Sequence, residues 1–334
     1  NKAGNEMAKY ITKRILYMIF VFFVMSIILF FLYNLIPGDP ARAEVEHMRE
    51  FMKPDEYEYA YQQARKALGL DQPLTVRYFK WVGGMLKLDF GMSKVYRLPV
   101  RDVVKDPFKV TIYINIFAII LGLAITIPLG IRCAVKRNSV MDRIVMVLTI
   151  VGHSIPTFIT ALLFIFVFAV KLEWFPVSGM VTPNFKGTGF ALFKNKMWHL
   201  ALPLIIMTVG SLAGLTRYVR AAMIDALSMD YIKTARAKGL QEKVVIYSHA
   251  WRNALLPVVT LIIGWFMSIF SGSLVIERIF NLHGIGKFYI DALTNQDYTV
   301  ALAIQMFYII IALVGNLITD ISYGLVDPRV RVDQ

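Results

Sequence analysis

The chain is poor in the residues on which most soluble chemistry depends. A single cysteine, Cys133, excludes an internal disulfide and reads as a small hydrophobe near a helix end. The histidines are scattered, and no H-E-x-x-H string exists. No G-x-S-x-G elbow is present. A G-x-x-x-x-G-K-[ST] phosphate loop is missing too. The nearest string, Gly284-Ile285-Gly286-Lys287-Phe288, lacks the first glycine and the hydroxyl. Asp320 stands near the end of an apolar run with no second intramembrane acid to pair with it, which argues against an intramembrane hydrolase. Charge is scarce as well, at 18% of residues against roughly 25% in soluble domains. The balance is basic, +13, yet no basic-aromatic patch accompanies it, so nucleic acid is not an expected partner.

What fills the chain instead is apolar: 57% of residues are hydrophobic. Six runs are uncharged and approach or exceed the roughly 20 residues that cross a bilayer: 15–36, 110–131, 144–170, 199–216, 253–276 and 299–319. The fold class expected is an all-α membrane protein with six transmembrane helices, the fourth being the shortest run. Residues 1–6 look foreign to the rest, and Met7 is the expected natural start. The first run is too long for a signal-peptide core and lacks a small-residue cleavage site, so it reads as a retained span.

Basic residues orient the spans. Lys2, Lys9, Lys13 and Arg14 precede the first, Arg132, Lys136, Arg137 and Arg143 join the second to the third, Arg217, Arg220, Lys233, Arg236, Lys238, Lys243 and Arg252 join the fourth to the fifth, and Arg329 and Arg331 follow the sixth. The short loops 171–198 and 277–298 are poorer in them. The positive-inside rule then puts both termini in the cytoplasm: 1–14 and 320–334 inside, 217–252 inside, and the long segment 37–109 outside. That outer segment mixes charges with Tyr57, Tyr59, Tyr61, Tyr78, Phe79 and Trp81 and reads as an ordered cap, with a helix from about Pro54 to Leu68 ending near Gly69.

The fourth-to-fifth connection carries the most information. Asp230-Tyr231-Ile232-Lys233-Thr234-Ala235-Arg236-Ala237-Lys238-Gly239-Leu240 reads as a compact helix. Asp230 can cap its start, the alanines favour its interior, Arg236 and Lys238 complement its carboxyl-terminal dipole, and Gly239 can take a left-handed stop. A second helical stretch, with Val244, Tyr247, Ser248, Trp251 and Leu255 at helical spacing, leads into Pro257. The first helix suits docking into a partner's groove. It equally suits a solvated basic loop that only orients the chain.

Tyr231 to Leu240, followed by Arg252-Asn253-Ala254-Leu255-Leu256-Pro257, resembles the EAA loop of permease subunits in bacterial ATP-binding-cassette importers. Lys233 stands where that loop has its glutamate, and Leu256-Pro257 lies further from the glycine than in sugar importers. Both departures are usual in the peptide and nickel branch. Leu35-Ile36-Pro37-Gly38-Asp39-Pro40, Leu68-Gly69-Leu70-Asp71-Gln72-Pro73-Leu74, Asp89-Phe90-Gly91-Met92-Ser93, Ser154-Ile155-Pro156-Thr157-Phe158, Glu277-Arg278-Ile279-Phe280 with Gly284-Ile285-Gly286, and Asp327-Pro328-Arg329 extend the likeness over nearly the whole chain. The chain resembles the first permease subunit of dipeptide/oligopeptide importers.

The resemblance implies the type I importer permease architecture with a permease core at 110–322, located in the bacterial inner membrane. It implies a second, homologous permease completing a heterodimer, two cytoplasmic ATPases that bind and hydrolyse ATP with Mg, and an extracytoplasmic peptide-binding protein. This chain would hold no cofactor and no metal, and would be a non-catalytic subunit. Residues 230–240 would form the ATPase-coupling loop, so a bulky or charged group at Gly239 or Ala235 is expected to uncouple it. Pro128, Pro156 and Pro257 read as hinges for alternating access or as static kinks. Gly210 and Gly214 read as a helix-packing pair, and His153 as a hydrogen-bonded core residue. Glu277 and Arg278, at the outer mouth, read as binding-protein contacts or interfacial anchors. Among cargoes, peptides fit best: no cluster of soft or imidazole ligands lies in the spans for a naked metal, though a chelated metal or another small solute remains the alternative. A passive channel or ion-driven carrier is the competing class.

Overall fold

The computed structural model describes residues 2–326, with side chains from Lys9 to Ser322; the expected tail motif Asp327-Pro328-Arg329 lies outside them. Among the described residues the regular structure is all helical, joined by turns and loops, with no strand beyond an isolated bridge between Met92 and Pro99. Helices α1 (Lys2–Asn34), α2 (Pro40–Val45), α3 (Pro54–Ala67), α4 (Leu74–Leu86), α5 (Val100–Val135), α6 (Val140–Ser154), α7 (Thr157–Phe164), α8 (Gly189–Ser228), α9 (Asp230–Ala237), α10 (Glu242–Val244), α11 (Trp251–Met267), α12 (Leu274–Ile279), α13 (Ile285–Thr294) and α14 (Tyr298–Val326) follow one another.

Among the described residues five stretches are long and apolar enough to cross a membrane: Lys9–Asn34, Val100–Val135, Gly189–Ser228, Glu242–Ile279 and Tyr298–Ser322. A sixth is broken. Val140–Ser154 and Thr157–Lys171 meet at an angle of 104°. Hydropathy runs through this point unchanged, so the sequence reads as one span. Pro156 explains the break: it disfavours helical geometry at Ile155, which is extended with ψ 125°, and it stands immediately before α7 as its N-cap. Pro128 and Pro257, by contrast, lie inside continuous helices. Long charged-end helices also outrun their apolar cores: α8 continues past Arg217 and Arg220 to Ser228, because charge ends a hydropathy run without ending a helix.

The chain divides into two compact units. One comprises Thr12–Val104 with Ala292–Ile310. In it Pro40 starts α2, whose first amides at Ala41 and Arg42 are capped by the Asp39 carboxylate, 2.9 and 3.4 Å away. The Tyr61 hydroxyl of α3 donates to the same carboxylate at 2.5 Å, and Ala41, Val45 and Tyr61 form a small core. Burial pushes the Asp39 carboxyl up, but the Tyr61 hydroxyl and the two amides, with Arg65 nearby, hold it below the usual carboxylate range. The expected helix after Pro54 closes at Ala67, and Gly69 reverses the chain with φ +66°. α4 packs against α1: the Ser26 and Tyr78 hydroxyls lie 2.8 Å apart, and Phe30, Tyr78 and Trp81 stack around them. Ser93 donates to Asp297 at 2.5 Å and Val95 N–H to the same oxygen, which ties the Asp89–Ser93 motif to the residues before α14.

The second unit, built on Lys105–Asp291, holds the larger apolar cores. There the ends of α5 and α8, together with α9, α11 and the π-helical turn Val245–Ala250 before it, bury Ile131, Leu215, Val219, Met223, Ile232, Ala235, Val245, Ala254 and Val258 against one another. At roughly 25 cal/mol per Å² of apolar area removed from water, this is the main term holding the loop helix on the bundle.

Candidate functional site

The coupling-loop candidate is assembled around α9. The short helix begins after Met229, not with a side-chain cap from Asp230 as expected. Asp230 instead pairs with Lys233 at 2.8 Å on the exposed surface, and its carbonyl accepts from the Thr234 hydroxyl at 3.1 Å. Ile232 and Ala235 point into the core, with 0% and 7% exposure. Tyr231, Thr234, Ala237, Lys238 and Leu240 remain exposed. Gly239 N–H donates to Arg236 O at 2.9 Å with φ +77° at the glycine, the left-handed stop read from the sequence. Arg236, expected at the helix dipole, makes a two-pronged bond to Glu242 at 3.1 and 2.6 Å and clips α9 to the start of α10. With Val244 and Tyr247 also exposed, the loop presents a mixed polar and apolar face opposite the one that anchors it.

This geometry corrects one expectation. Ala235 packs inward, so Ala235→Glu would bury a charge and damage the fold instead of selectively blocking docking. A group attached at Ala237 projects from the exposed side.

A salt bridge absent from the sequence reading supports the loop. Arg220 on α8 donates from Nε and Nη2 to both oxygens of Asp142 on α6, at 2.6 and 2.8 Å, and Asp142 is 2% exposed. Asp142 also accepts from Asn138 N–H at 2.9 Å. The pair therefore fastens the α5–α6 turn to α8 shortly before that helix turns into α9. The signal was an acid at the start of an apolar run, which the topology left unexplained, and an arginine that counted only toward it.

Glu277 is placed differently from its expected role as a binding-protein contact. It is 2% exposed and faces inward. Its Oε1 accepts from the Thr111 hydroxyl at 2.8 Å and its Oε2 from Lys287 N–H at 2.9 Å, while Thr111 Oγ1 accepts from Ile285 N–H at 2.8 Å. A Cβ on Gly284 would overlap the Glu277 carboxyl, and one on Gly286 would come within 3.0 Å of Oε2. Gly284-Ile285-Gly286 is thus a seat for a buried carboxylate. Arg278 is exposed.

Other expectations change too. A Cβ placed on Gly210 or Gly214 would meet no atom within 4 Å, so the pair makes no close helix contact within the described residues. His153 is exposed and not in a core. His199 is buried, with Nε2 3.1 Å from Thr182 Oγ1 and Nδ1 3.1 Å from Gly179 O. Among the described residues no three His, Cys, Asp or Glu side chains converge as a metal site would need.

Comparison with known proteins gives these features a family. Residues 126–332 match the model of the binding-protein-dependent transport system inner membrane component, and residues 7–114 match that of its amino-terminal region. The oligopeptide transport system permease protein AppB of Bacillus subtilis (strain 168) is 38% identical over 326 residues, covering 97% of this chain and 100% of that protein. The glutathione transport system permease protein GsiC of Escherichia coli (strain K12) is 33% identical over 325 residues, with 97% and 99% covered. A solved structure of the MetNI methionine ABC transporter in inward-facing conformation shares the fold, with TM-score 0.50 and 16% identity over 66% of this chain and 95% of that one. The chain belongs to the binding-protein-dependent transport system inner membrane components and has the helical permease fold of ABC importers.

Proposed function

We propose that the chain forms half of the translocation pathway of an ATP-driven importer of short peptides and couples to cytoplasmic ATPases through residues 230–240. The observation that carries this reading is the two-faced α9: Ile232 and Ala235 are fastened into the bundle core while Tyr231, Thr234 and Ala237 stay open. A helix held this way can pass a displacement to α8 and α11, which share its core. The names of AppB and GsiC support peptides as the cargo class. The chain itself supplies no phosphate loop, so ATP and Mg would be bound and hydrolysed by partner subunits, with no cofactor on this chain.

The loop-charge asymmetry supports cytoplasmic termini in an inner membrane and an extracytoplasmic 37–109 region. The other partners proposed are a second homologous permease, different from this one, and an extracytoplasmic peptide-binding protein. The open face of α8 at Gly210 and Gly214 and the exposed apolar residues of the broken span, such as Val147, Leu148, Phe158 and Leu162, suit the second permease and lipid. Arg278 remains the candidate on its helix for touching the binding protein. The break at Pro156 supports a place for that segment beside the pathway, since discontinuous helices line transport sites.

The test is Ala237→Glu in the assembled complex. The protein should insert and accumulate normally, while ATP-dependent uptake falls about tenfold or more as a charge enters the docking face. Uptake and substrate-stimulated ATPase activity at unaltered levels would refute the coupling role.

A further inference from the structure

A cavity of about 350 Å³ opens at the end of α1 and has no part in the reading above. Its wall includes Tyr33 and Asn34, which end α1, and Tyr298, which starts α14; the two tyrosine rings meet edge to face at 5.8 Å. Three cations line it from three separate segments: Arg65 of α3, Arg77 of α4 and Lys94 of the loop that follows. The acid in the wall, Asp39, is already committed to the α2 amides and the Tyr61 hydroxyl. Among the described residues, none of the three cations has a carboxylate within ion-pair distance. Burial pulls the Arg77 guanidinium below the usual arginine value, and no acid opposes it. The wall therefore carries three cations against the single Asp39 carboxylate, which lies near Arg65, and its net positive charge suits an anion.

The surroundings indicate where that anion comes from. The cavity sits where a membrane-spanning helix ends, and Tyr33 and Tyr298 are aromatic residues of the kind that settle at the headgroup level. Next to these residues in sequence, α1 exposes Phe31 and Leu32, and Leu35 just beyond it is 76% exposed. On α4, Val76 and Phe79 are exposed on either side of Arg77 in sequence, while Tyr78 packs on α1. An amphipathic helix lying against a span, with apolar side chains open and an arginine beside them, belongs at a membrane surface.

We propose that this cavity binds the phosphate of an anionic phospholipid headgroup, with the acyl chains lying on the exposed apolar face of α1. Zwitterionic lipids carry the same phosphate, but the surplus of cations over acid favours a headgroup with net negative charge. The inference depends on α1 spanning the membrane and not on the identity of the cargo.

The test uses the purified complex, delipidated in detergent and then exposed to phosphatidylglycerol, with bound lipid counted by native mass spectrometry. The wild type should retain phosphatidylglycerol in preference to phosphatidylcholine. Lys94→Gln, a change at an exposed residue that leaves the cores untouched, should lower retention about fivefold, and Arg77→Gln with Lys94→Gln about 25-fold, at roughly one membrane-proximal charge's worth each. Equal retention by wild type and Lys94→Gln would overturn the proposal. So would full displacement of the lipid by millimolar inorganic phosphate, which would make the site one for free phosphate. Loss of binding-protein association in the variants with lipid retention unchanged would assign the cations to a protein contact instead.

Discussion

Replacing Arg220 by alanine should cost the protein about 3–5 kcal/mol of stability, because it strands the Asp142 carboxylate in a buried position. The two-pronged geometry matters: Arg220→Lys keeps the charge but cannot match both carboxylate oxygens, so it should recover only part of the loss. The double variant Asp142→Asn with Arg220→Met should lose less than Arg220→Ala alone, since no unpaired charge remains. Unfolding in mixed detergent micelles, followed by tryptophan fluorescence, reads all three. Transport should fall with stability, because the pair fixes the stretch of α8 that leads into α9. If Arg220→Ala unfolds like the wild type, the pair is not the clamp described here.

Gly284→Ala is the second large effect. The added methyl would overlap the Glu277 carboxyl, which would have to leave its bonds to Thr111 and Lys287 N–H or push α12 and the Gly284 segment apart. Overpacking costs typically 1–3 kcal/mol, and losing a hydrogen bond to a charged group about 1.5–3, so a loss of about 3 kcal/mol or more is expected. Glu277→Gln keeps the shape and most of the bonds. It should be milder, though its one amide oxygen replaces two acceptor oxygens, so either the Thr111 hydroxyl or the Lys287 N–H loses its acceptor. The same unfolding assay checks this. A Gly284→Ala protein as stable as the wild type would mean that the carboxylate is not seated as described.

These two residues also show where sequence reasoning stopped. Six apolar runs were legible because a bilayer crossing demands length and lack of charge, and both are written locally. The helix α9 was legible from Ala235, Ala237 and Gly239 for the same reason: helix propensity and a left-handed stop are local signals. Its orientation was not, because which face turns inward depends on Val219, Met223 and Val245 arriving from distant segments. Glu277 follows a long apolar run, where a charge reads as solvent-facing. It turns inward because Thr111, far along the chain, and two glycines after it make room and supply donors. Ser154-Ile155-Pro156 carries the family's pattern, but a proline alone does not separate a kink from a 104° break: Pro128 and Pro257 sit in unbroken helices. α4 was read as part of a cap, since its Arg77 and Lys80 hide an apolar face that packs on α1.

The most direct measurement of the central claim is uptake into proteoliposomes holding the complete complex, with its ATPases and its binding protein. Radiolabelled short peptides should accumulate only with ATP inside the compartment that holds the ATPases, and labelled nickel should not. Nickel accumulation with no uptake from a mixed peptide library, or peptide uptake that persists when ATP is withheld, would contradict the account.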